Sequence, residues 1–343
     1  MNLKKDFIST IIFSFFILIF MIVAPIIIIK SVPVVADVNK IDENSKDKKS
    51  DKNKDIIIDS SSNIKVYLTK EDKIVEVPIE DYVKSVVSSE MLASFDNEAL
   101  KAQAIAARTF VASRKIKACP DANGGDVCDS THCQVYVNKD EKIKLWGEKG
   151  NEYWDKISKA VDATAGKVLS FNDELVLYPQ FFSTSSGNTE NSVDVFSNSI
   201  PYLVSVKSEG ENIAPKYETE FTFSIDEFIN KINSLYVDAG LTTSSFNENI
   251  EILTRSEAGG VKEIRFGGQT VKGTEFRIAF GLSSTNFEYN IYGNNIVFKC
   301  KGYGHGVGMS QWGANVMGKN GVKYDEILKH YYTGIDIKNL KFK

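Results

Sequence analysis

Excess basic charge is missing from this chain: 41 Lys and Arg face 45 Asp and Glu, a formal net charge of −4. Nothing therefore advertises a nucleic-acid partner. Four cysteines in 343 residues are too few for a disulfide scaffold. Seven prolines and 23 glycines exclude low complexity over the whole length. No G-x-S-x-G, H-E-x-x-H or G-x-x-x-x-G-K-[ST] occurs, which weighs against common esterases, zinc metalloproteases and phosphate cradles. A hydrophobic content of 43% with 11% aromatics supports a packed globular body.

One long uncharged run is present. Phe7 to Ile29 carries no charge and lies between Lys4-Lys5 and Lys30, enough helix to span a hydrocarbon core of roughly 30 Å. It is too long for a secretory apolar region, and Val34-Val35-Ala36 fits a cleavage site poorly, so the reading is a membrane anchor. The amino-terminal lysines favour a cytoplasmic N-terminus and an extracytoplasmic body. Lys40, Lys46, Lys48, Lys49, Lys52 and Lys54 then alternate with Asp37, Asp42, Glu43, Asp47, Asp51 and Asp55, a composition that gives a solvated tether. The organisation expected is an anchor over 1–30, a charged spacer over 31–62, and a catalytic domain over 63–343, with a subdomain near 207–290.

Within that domain the pattern is mixed rather than a regular βαβ alternation, so the expected class is α+β, a helix and strand body with a substrate groove. Ile56 to Ile58 can open the body. Asn63 to Thr69 and Lys73 to Pro78 alternate as a hairpin around Lys70-Glu-Asp. Ile79, Tyr82, Val83, Val86 and Val87 recur at helical spacing and predict a helix ending near Glu90-Met91. A second helix, capped by Asp96 or Asn97, runs through an alanine-rich stretch to Arg114. Strands are expected at 168–171, 174–182, 202–206, 250–255, 261–266, 270–272 and 296–299, and a helix over 223–238.

Three groups of residues carry possible chemistry. Glu90 ends an amphipathic helix, where partial burial would raise its pKa toward that of a general acid; a surface carboxylate is the plainer reading. Cys119, Cys128, His132 and Cys133 share a loop with Pro120, Gly124 and Gly125. Three thiolates and an imidazole satisfy tetrahedral zinc as a closed, structural site, while a Cys128 to Cys133 disulfide or packed thiols are alternatives. Cys300 lies apart. The third group is Lys301-Gly-Tyr-Gly-His-Gly-Val-Gly-Met-Ser-Gln-Trp-Gly-Ala, whose glycines let backbone approach a ligand closely and whose Tyr303, His305, Gln311 and Trp312 suit a sugar. The hydroxyl-rich loop Phe182-Ser-Thr-Ser-Ser-Gly-Asn-Thr-Glu-Asn, with Ser185 and Ser186, could line the same groove.

Taken in order, Ser89-Glu-Met-Leu-Ala-Ser-Phe through Arg108-Thr-Phe, the Ser-Ser-Gly-x-Thr-Glu loop, Gly304-His-Gly-Val-Gly-Met-Ser-Gln-Trp-Gly-Ala and His330-Tyr-Tyr-Thr-Gly closely resemble the stage II sporulation protein D family over about residues 63 to 340. The resemblance implies a peptidoglycan lytic transglycosylase of forespore engulfment, with the family's catalytic acid at Glu90. It also implies a cell-wall amidase and a membrane scaffold as partners and glycan strands stripped of stem peptides as substrate. The cysteine loop looks like the zinc loop of clostridial members, with Cys119 where a histidine is usual, and Leu92 replaces the commoner proline after Glu-Met.

Glycosidases commonly use two carboxylates, whereas a lytic enzyme manages with one, because the sugar's own C6 hydroxyl attacks. A hydrolytic muramidase would need a second acid, for which Asp96 and Glu190 are candidates. A noncatalytic glycan-binding stimulator of an amidase is a further reading, and a zinc amidase would need an open metal position.

Overall fold

The computed structural model describes residues 55–343. The expected anchor, Phe7 to Ile29, and nearly all of the tether lie outside the described residues. Among the described residues no helix is long and apolar enough to cross a membrane.

Strand β1 (Ile56–Ile58) opens the body and leads to the hairpin β2 (Asn63–Leu68) and β3 (Lys73–Pro78). Helix α1 (Ile79–Glu90) follows directly, its inward face formed by Ile79, Tyr82, Val83, Val86 and Val87. Asp96 caps helix α2 (Asn97–Ile116), accepting a hydrogen bond from Glu98 N at 2.8 Å. The small side chains of α2 let other elements approach: α1, a helix near the C-terminus and a central strand all pack on it. Short β4 (Val127–Cys128) pairs in parallel with β2. Helices α3 (Lys139–Trp146) and α4 (Gly150–Asp162) close that side, then β5 (Lys167–Phe171), β6 (Glu174–Leu175), β7 (Phe181–Phe182) and the short α5 (Ser192–Phe196) lead out of the first lobe.

A second lobe is threaded between. It comprises β8 (Glu218–Ser224), α6 (Ile225–Leu235), β9 (Ile250–Arg255), β10 (Val261–Phe266), β11 (Gln269–Lys272), α7 (Gly273–Phe280), β12 (Phe287–Tyr292) and β13 (Asn295–Lys301). Two three-stranded antiparallel sheets, β12-β13-β8 and β11-β10-β9, enclose its own phenylalanine-rich core. The chain returns through β14 (Met309–Ser310), which pairs in parallel with β7, then α8 (Gln311–Lys319), α9 (Tyr324–Tyr331) and β15 (Asp336–Phe342). The last strand sits between β1 and β5 in a sheet ordered β1-β15-β5-β6.

The α+β class is what the structure has, with several local differences from expectation. The folded body begins at β1, inside the span assigned to the spacer, because Ile56 and Ile58 bury against Val168, Leu175 and Ala112. Of residues 174–182 only the two ends are strand, Pro179 lying between them. Residues 202–206 form no named strand, since Pro201 opens a turn that Leu203 N closes on Ile200 O. Phe223 and Ser224 finish β8 instead of starting a helix, and Ser224 caps α6 through Glu227 N.

Candidate active site

Glu90 is the last residue of α1, where Met91 N still closes on Val87 O. The next five residues turn tightly, with Phe95 N donating to Leu92 O, before Asp96 begins the cap of α2. Helix α8 is docked on this turn: Asn315 Oδ1 accepts from Asp96 N at 2.9 Å, and Trp312 meets Phe95 edge to face. Gly318 is required there, because a Cβ would lie 2.6 Å from Asp96 Oδ1. The first residue of α8, Gln311, is thereby brought beside Glu90.

The Glu90 carboxylate is half-buried and accepts one hydrogen bond, from Val135 N to Oε1 at 3.1 Å. Burial raises its pKa above the ordinary 4.5, while Val135 N–H and the neighbouring Gln311 amide pull the other way. Its place at a helix C-terminus also disfavours the anion. Gln311 Nε2 itself is buried without a hydrogen-bond partner of good geometry. A half-buried carboxyl whose pKa is raised by burial, with the Gln311 amide beside it, suits delivery of a proton to a polar substrate.

Val135 comes from the cysteine loop. Cys119, Cys128, His132 and Cys133 present ligand atoms all within 4.8 Å of one another. His132 Nδ1 lies 3.3 Å from Cys119 Sγ and 3.9 Å from the sulfurs of Cys128 and Cys133. Zn–S bonds of about 2.3 Å and a Zn–N bond of about 2.0 Å place tetrahedral S and N ligands roughly 3.6 Å apart, so these residues fit a four-coordinate metal. Asp121 Oδ2, 3.2 Å from His132 Nε2, can hold the tautomer that leaves Nδ1 free for a metal. All four cysteines of the chain are free thiols, and Cys300 lies in the second core, away from the loop. The pairing of β4 with β2 fixes Cys128, while Gly125 leaves room for Lys65 O, 2.9 Å from where a Cβ would stand. Two residues after Cys133, the chain reaches the Val135 N–H that contacts Glu90. Gln134 between them accepts from the Tyr82 hydroxyl at 3.2 Å, and Tyr136 stacks on Tyr82.

The glycine-rich segment meets the hydroxyl-rich loop of the protein itself. Gly308 has φ +80°, and a Cβ there would lie 2.0 Å from Gln180 O. Thr184 and Tyr303 exchange backbone hydrogen bonds, and Glu190 N donates to Gly306 O at 2.7 Å. The close backbone approach read from the sequence is thus between two loops of one chain. His305 is built into that junction: Nδ1 accepts from Val307 N at 3.1 Å, the ring packs on Phe182 and Phe196, and the ring donates a second hydrogen bond to the Phe181 backbone. Burial, with the Arg277 charge, holds His305 down at about 4, so it is neutral at physiological pH. Ser185 also turns inward, its N–H given to Glu211 and its Oγ accepting from Gly187 N. Ser186 accepts from Asn286 Nδ2 at 3.0 Å and lines an open groove of about 560 Å³ with Glu218, Thr219, Lys299 and Lys301. Tyr303 is 38% exposed, with Lys216 Nζ 4.8 Å from its ring centre. Of the substrate-binding residues expected, then, Gln311 adjoins Glu90, Tyr303 and Ser186 face solvent, and His305 and Ser185 shape the loops.

Of the candidates for a second acid, Asp96 is engaged at a helix terminus, while Glu190 is buried with its Oε2 lacking a hydrogen-bond partner among the described residues. Asp96 is the cap of α2. Glu190 is 5% exposed and its carboxylate faces Gly260 and Ser256 at the β9–β10 turn, where burial raises its pKa. A buried carboxylate unforeseen from the sequence is Glu211, which joins the hydroxyl-rich loop, α8 and α9. It stands in a loop without any motif, and only the spacing of its partners in space reveals it.

A family profile described as Stage II sporulation protein matches residues 67–171, a span that contains Glu90 and the whole cysteine cluster. Stage II sporulation protein D of Bacillus subtilis is 40% identical over 280 residues, covering 81% of this chain and 79% of the relative. Its namesake in Bacillus amyloliquefaciens is 39% identical over 281 residues, with the same shares. The amidase enhancer of Bacillus subtilis is 30% identical over 302 residues, 74% of this chain but 39% of that protein. With identity at this level extending over both lobes, the chain belongs to the stage II sporulation protein D family.

Proposed function

We propose that this protein is a lytic transglycosylase of sporulation that cleaves peptidoglycan glycan strands between N-acetylmuramic acid and N-acetylglucosamine and leaves 1,6-anhydromuramyl ends. The observation that carries the reading is the geometry of Glu90, half-buried at the end of α1, held by Val135 N–H and adjoined by the Gln311 amide, with Asp96 capping α2 and Glu190 buried at the β9–β10 turn. The names of the relatives, one a sporulation protein and one an amidase enhancer, support a place in wall remodelling.

Protonated Glu90 gives its proton to the glycosidic oxygen as the bond from C1 to that oxygen breaks. The resulting carboxylate takes the proton of the muramyl C6 hydroxyl, whose oxygen bonds to C1. The acid is regenerated, no water is consumed, and the nucleophile is already part of the substrate, which supplies the proximity a second protein carboxylate would otherwise provide. Gln311 Nε2 is placed to hold a sugar oxygen or acetamido carbonyl, and Tyr303 offers an exposed ring for stacking.

Cys119, Cys128, His132 and Cys133 would hold one zinc ion. With four protein ligands the ion supplies cross-linking of the loop and no open coordination position. The loop so pinned carries the Val135 N–H that orients Glu90.

The uncharged run at Phe7 to Ile29 would anchor the protein in the membrane, N-terminus cytoplasmic, with the body facing the wall. A membrane scaffold and an amidase that strips stem peptides would be its partners. Mass spectrometry of intact and peptide-free peptidoglycan digested by the full chain tests the reading. Anhydromuramyl products lost in Glu90→Gln are expected; reducing muramic ends carrying solvent oxygen would establish hydrolysis, and intact glycan would favour a noncatalytic stimulator.

A further inference from the structure

Glu211 is 1% exposed, and burying a carboxylate is costly unless every lone pair is served. Here the service comes from three separate motifs. Oε2 accepts from Ser185 N at 2.7 Å and from the Ser310 hydroxyl at 2.6 Å; Oε1 accepts from the Ser208 hydroxyl at 2.5 Å. Ser208 Oγ is in turn 2.6 Å from the Tyr331 hydroxyl. Ser185 belongs to the hydroxyl-rich loop, Ser310 caps α8 through Gly313 N, and Tyr331 ends α9. Gly313 admits this cluster against the helix: a Cβ there would lie 2.0 Å from the Tyr331 hydroxyl and 2.6 Å from Glu211 Oε1. The residue after the Ser310 cap is Gln311.

We propose that Glu211 is a positioning residue, one that fixes the Ser310 cap and the first turn of α8 and thereby sets the Gln311 amide against Glu90. It touches no reacting atom itself, and its role in turnover rests on the transglycosylase reading above. Among the described residues the donors to the carboxylate are the neutral Ser185 N–H, Ser208 and Ser310, with Tyr331 behind Ser208. Neutral donors alone satisfy it, so geometry rather than charge is what the cluster conveys.

Glutamine can keep that geometry. Its carbonyl oxygen can accept from Ser185 N–H and Ser310, while its amide donates to Ser208, whose hydroxyl then turns to Tyr331. Alanine removes the junction. The test uses the full chain in detergent, labelled with 5-fluorotryptophan, so that the ¹⁹F signal of Trp312 reports the first turn of α8 without any substrate. Glu211→Ala should displace that signal and Glu211→Gln should restore it; Ser310→Ala, which removes one contact and leaves the carboxylate in place, should displace it in the same direction. An unmoved Trp312 signal in both folded Ala variants overturns the proposal.

On glycan strands Glu211→Ala should lower kcat about 10-fold with KM within about 3-fold, and Glu211→Gln should recover most of the loss. In a Gln311→Ala background Glu211→Ala should cost less than about 2-fold, because the two act through one contact. Equal losses in both backgrounds would overturn the positioning role. A parent protein that cleaves no glycan would sink the transglycosylase reading and leave the ¹⁹F result to decide the junction.

Discussion

The two lobes solve core packing in opposite ways. The first lobe packs alanine and valine helices closely around buried polar side chains: Arg108, fully buried, is held bidentate by Glu80 at 2.8 and 2.6 Å and also donates to Lys167 O. The second lobe gathers aromatic rings, with Phe228 touching Phe223, Phe246, Phe266, Phe276, Phe280 and Phe298. Small residues let backbones come near enough for side chains from distant segments to meet, which is how Glu90, Val135 and Gln311 converge. Rings fill volume and set no such geometry. The candidate site therefore lies in the lobe whose core tolerates polarity.

That contrast can be broken experimentally. The largest effect is expected at Glu90: Glu90→Gln should lower glycan cleavage by about 10³-fold, with cooperative thermal unfolding retained. In the second lobe Phe228→Ala should cost about 3–5 kcal/mol of stability in denaturant titration while the folded fraction turns over at the parent rate. A parent-like stability for Phe228→Ala would show that the aromatic core is not what holds that lobe. Arg108→Ala should destabilise the first lobe by a comparable 3–5 kcal/mol, roughly, because Glu80 is left half-buried without its partner.

A smaller effect separates the lobes by pH. Burial lifts Glu211 to about 7 from an ordinary 4.5, even against the hydrogen bonds it accepts. The folded state thus holds this proton more tightly than the unfolded chain does. The associated stability is fully present below about pH 4.5 and is lost as pH rises through about 7, on the order of 3 kcal/mol over that window. Glu90 and Glu190 are raised in the same direction. Stability measured against pH should slope less in Glu211→Gln, and an unchanged slope would reject the assignment. Smallest of all, chelation of metal should loosen residues 119–136 in hydrogen exchange while leaving the amides of β12 and β13 protected; uniform exchange across both lobes would contradict a local role.

What the sequence disclosed follows the same division. Helices α1 and α2 were legible because apolar spacing, Asp96 as cap and an alanine-rich stretch free of Gly and Pro agree. The cysteine cluster was legible because its ligands lie close in sequence. The lysine-rich α3 was not, since none of its residues is buried and no apolar stripe marks it. Strand β8 was missed and its last residues were taken into the following helix, its Phe221 and Phe223 running straight into an amphipathic helix. The inward turn of His305 and Ser185 was hidden because glycine spacing tells that backbones approach, and not whose. Glu211 was invisible for the same reason, its partners being scattered over residues 185 to 331.

Strand β1 has a mechanical meaning beyond its part in the fold. It is the entry of the described chain into the body, and it lies parallel to β15, with Ile56, Ile57 and Ile58 opposite Leu340, Lys341 and Phe342. A pull along β1 from its amino end loads that short ladder in shear, so its bonds share the force rather than yielding one at a time. The load then passes through β15 into β5, which runs antiparallel beside it, and so into the sheet on which α2 rests. Glu90 and Gln311 belong to helices α1 and α8, outside that ladder, so a tug on the chain reaches the sheet before it can disturb the candidate site.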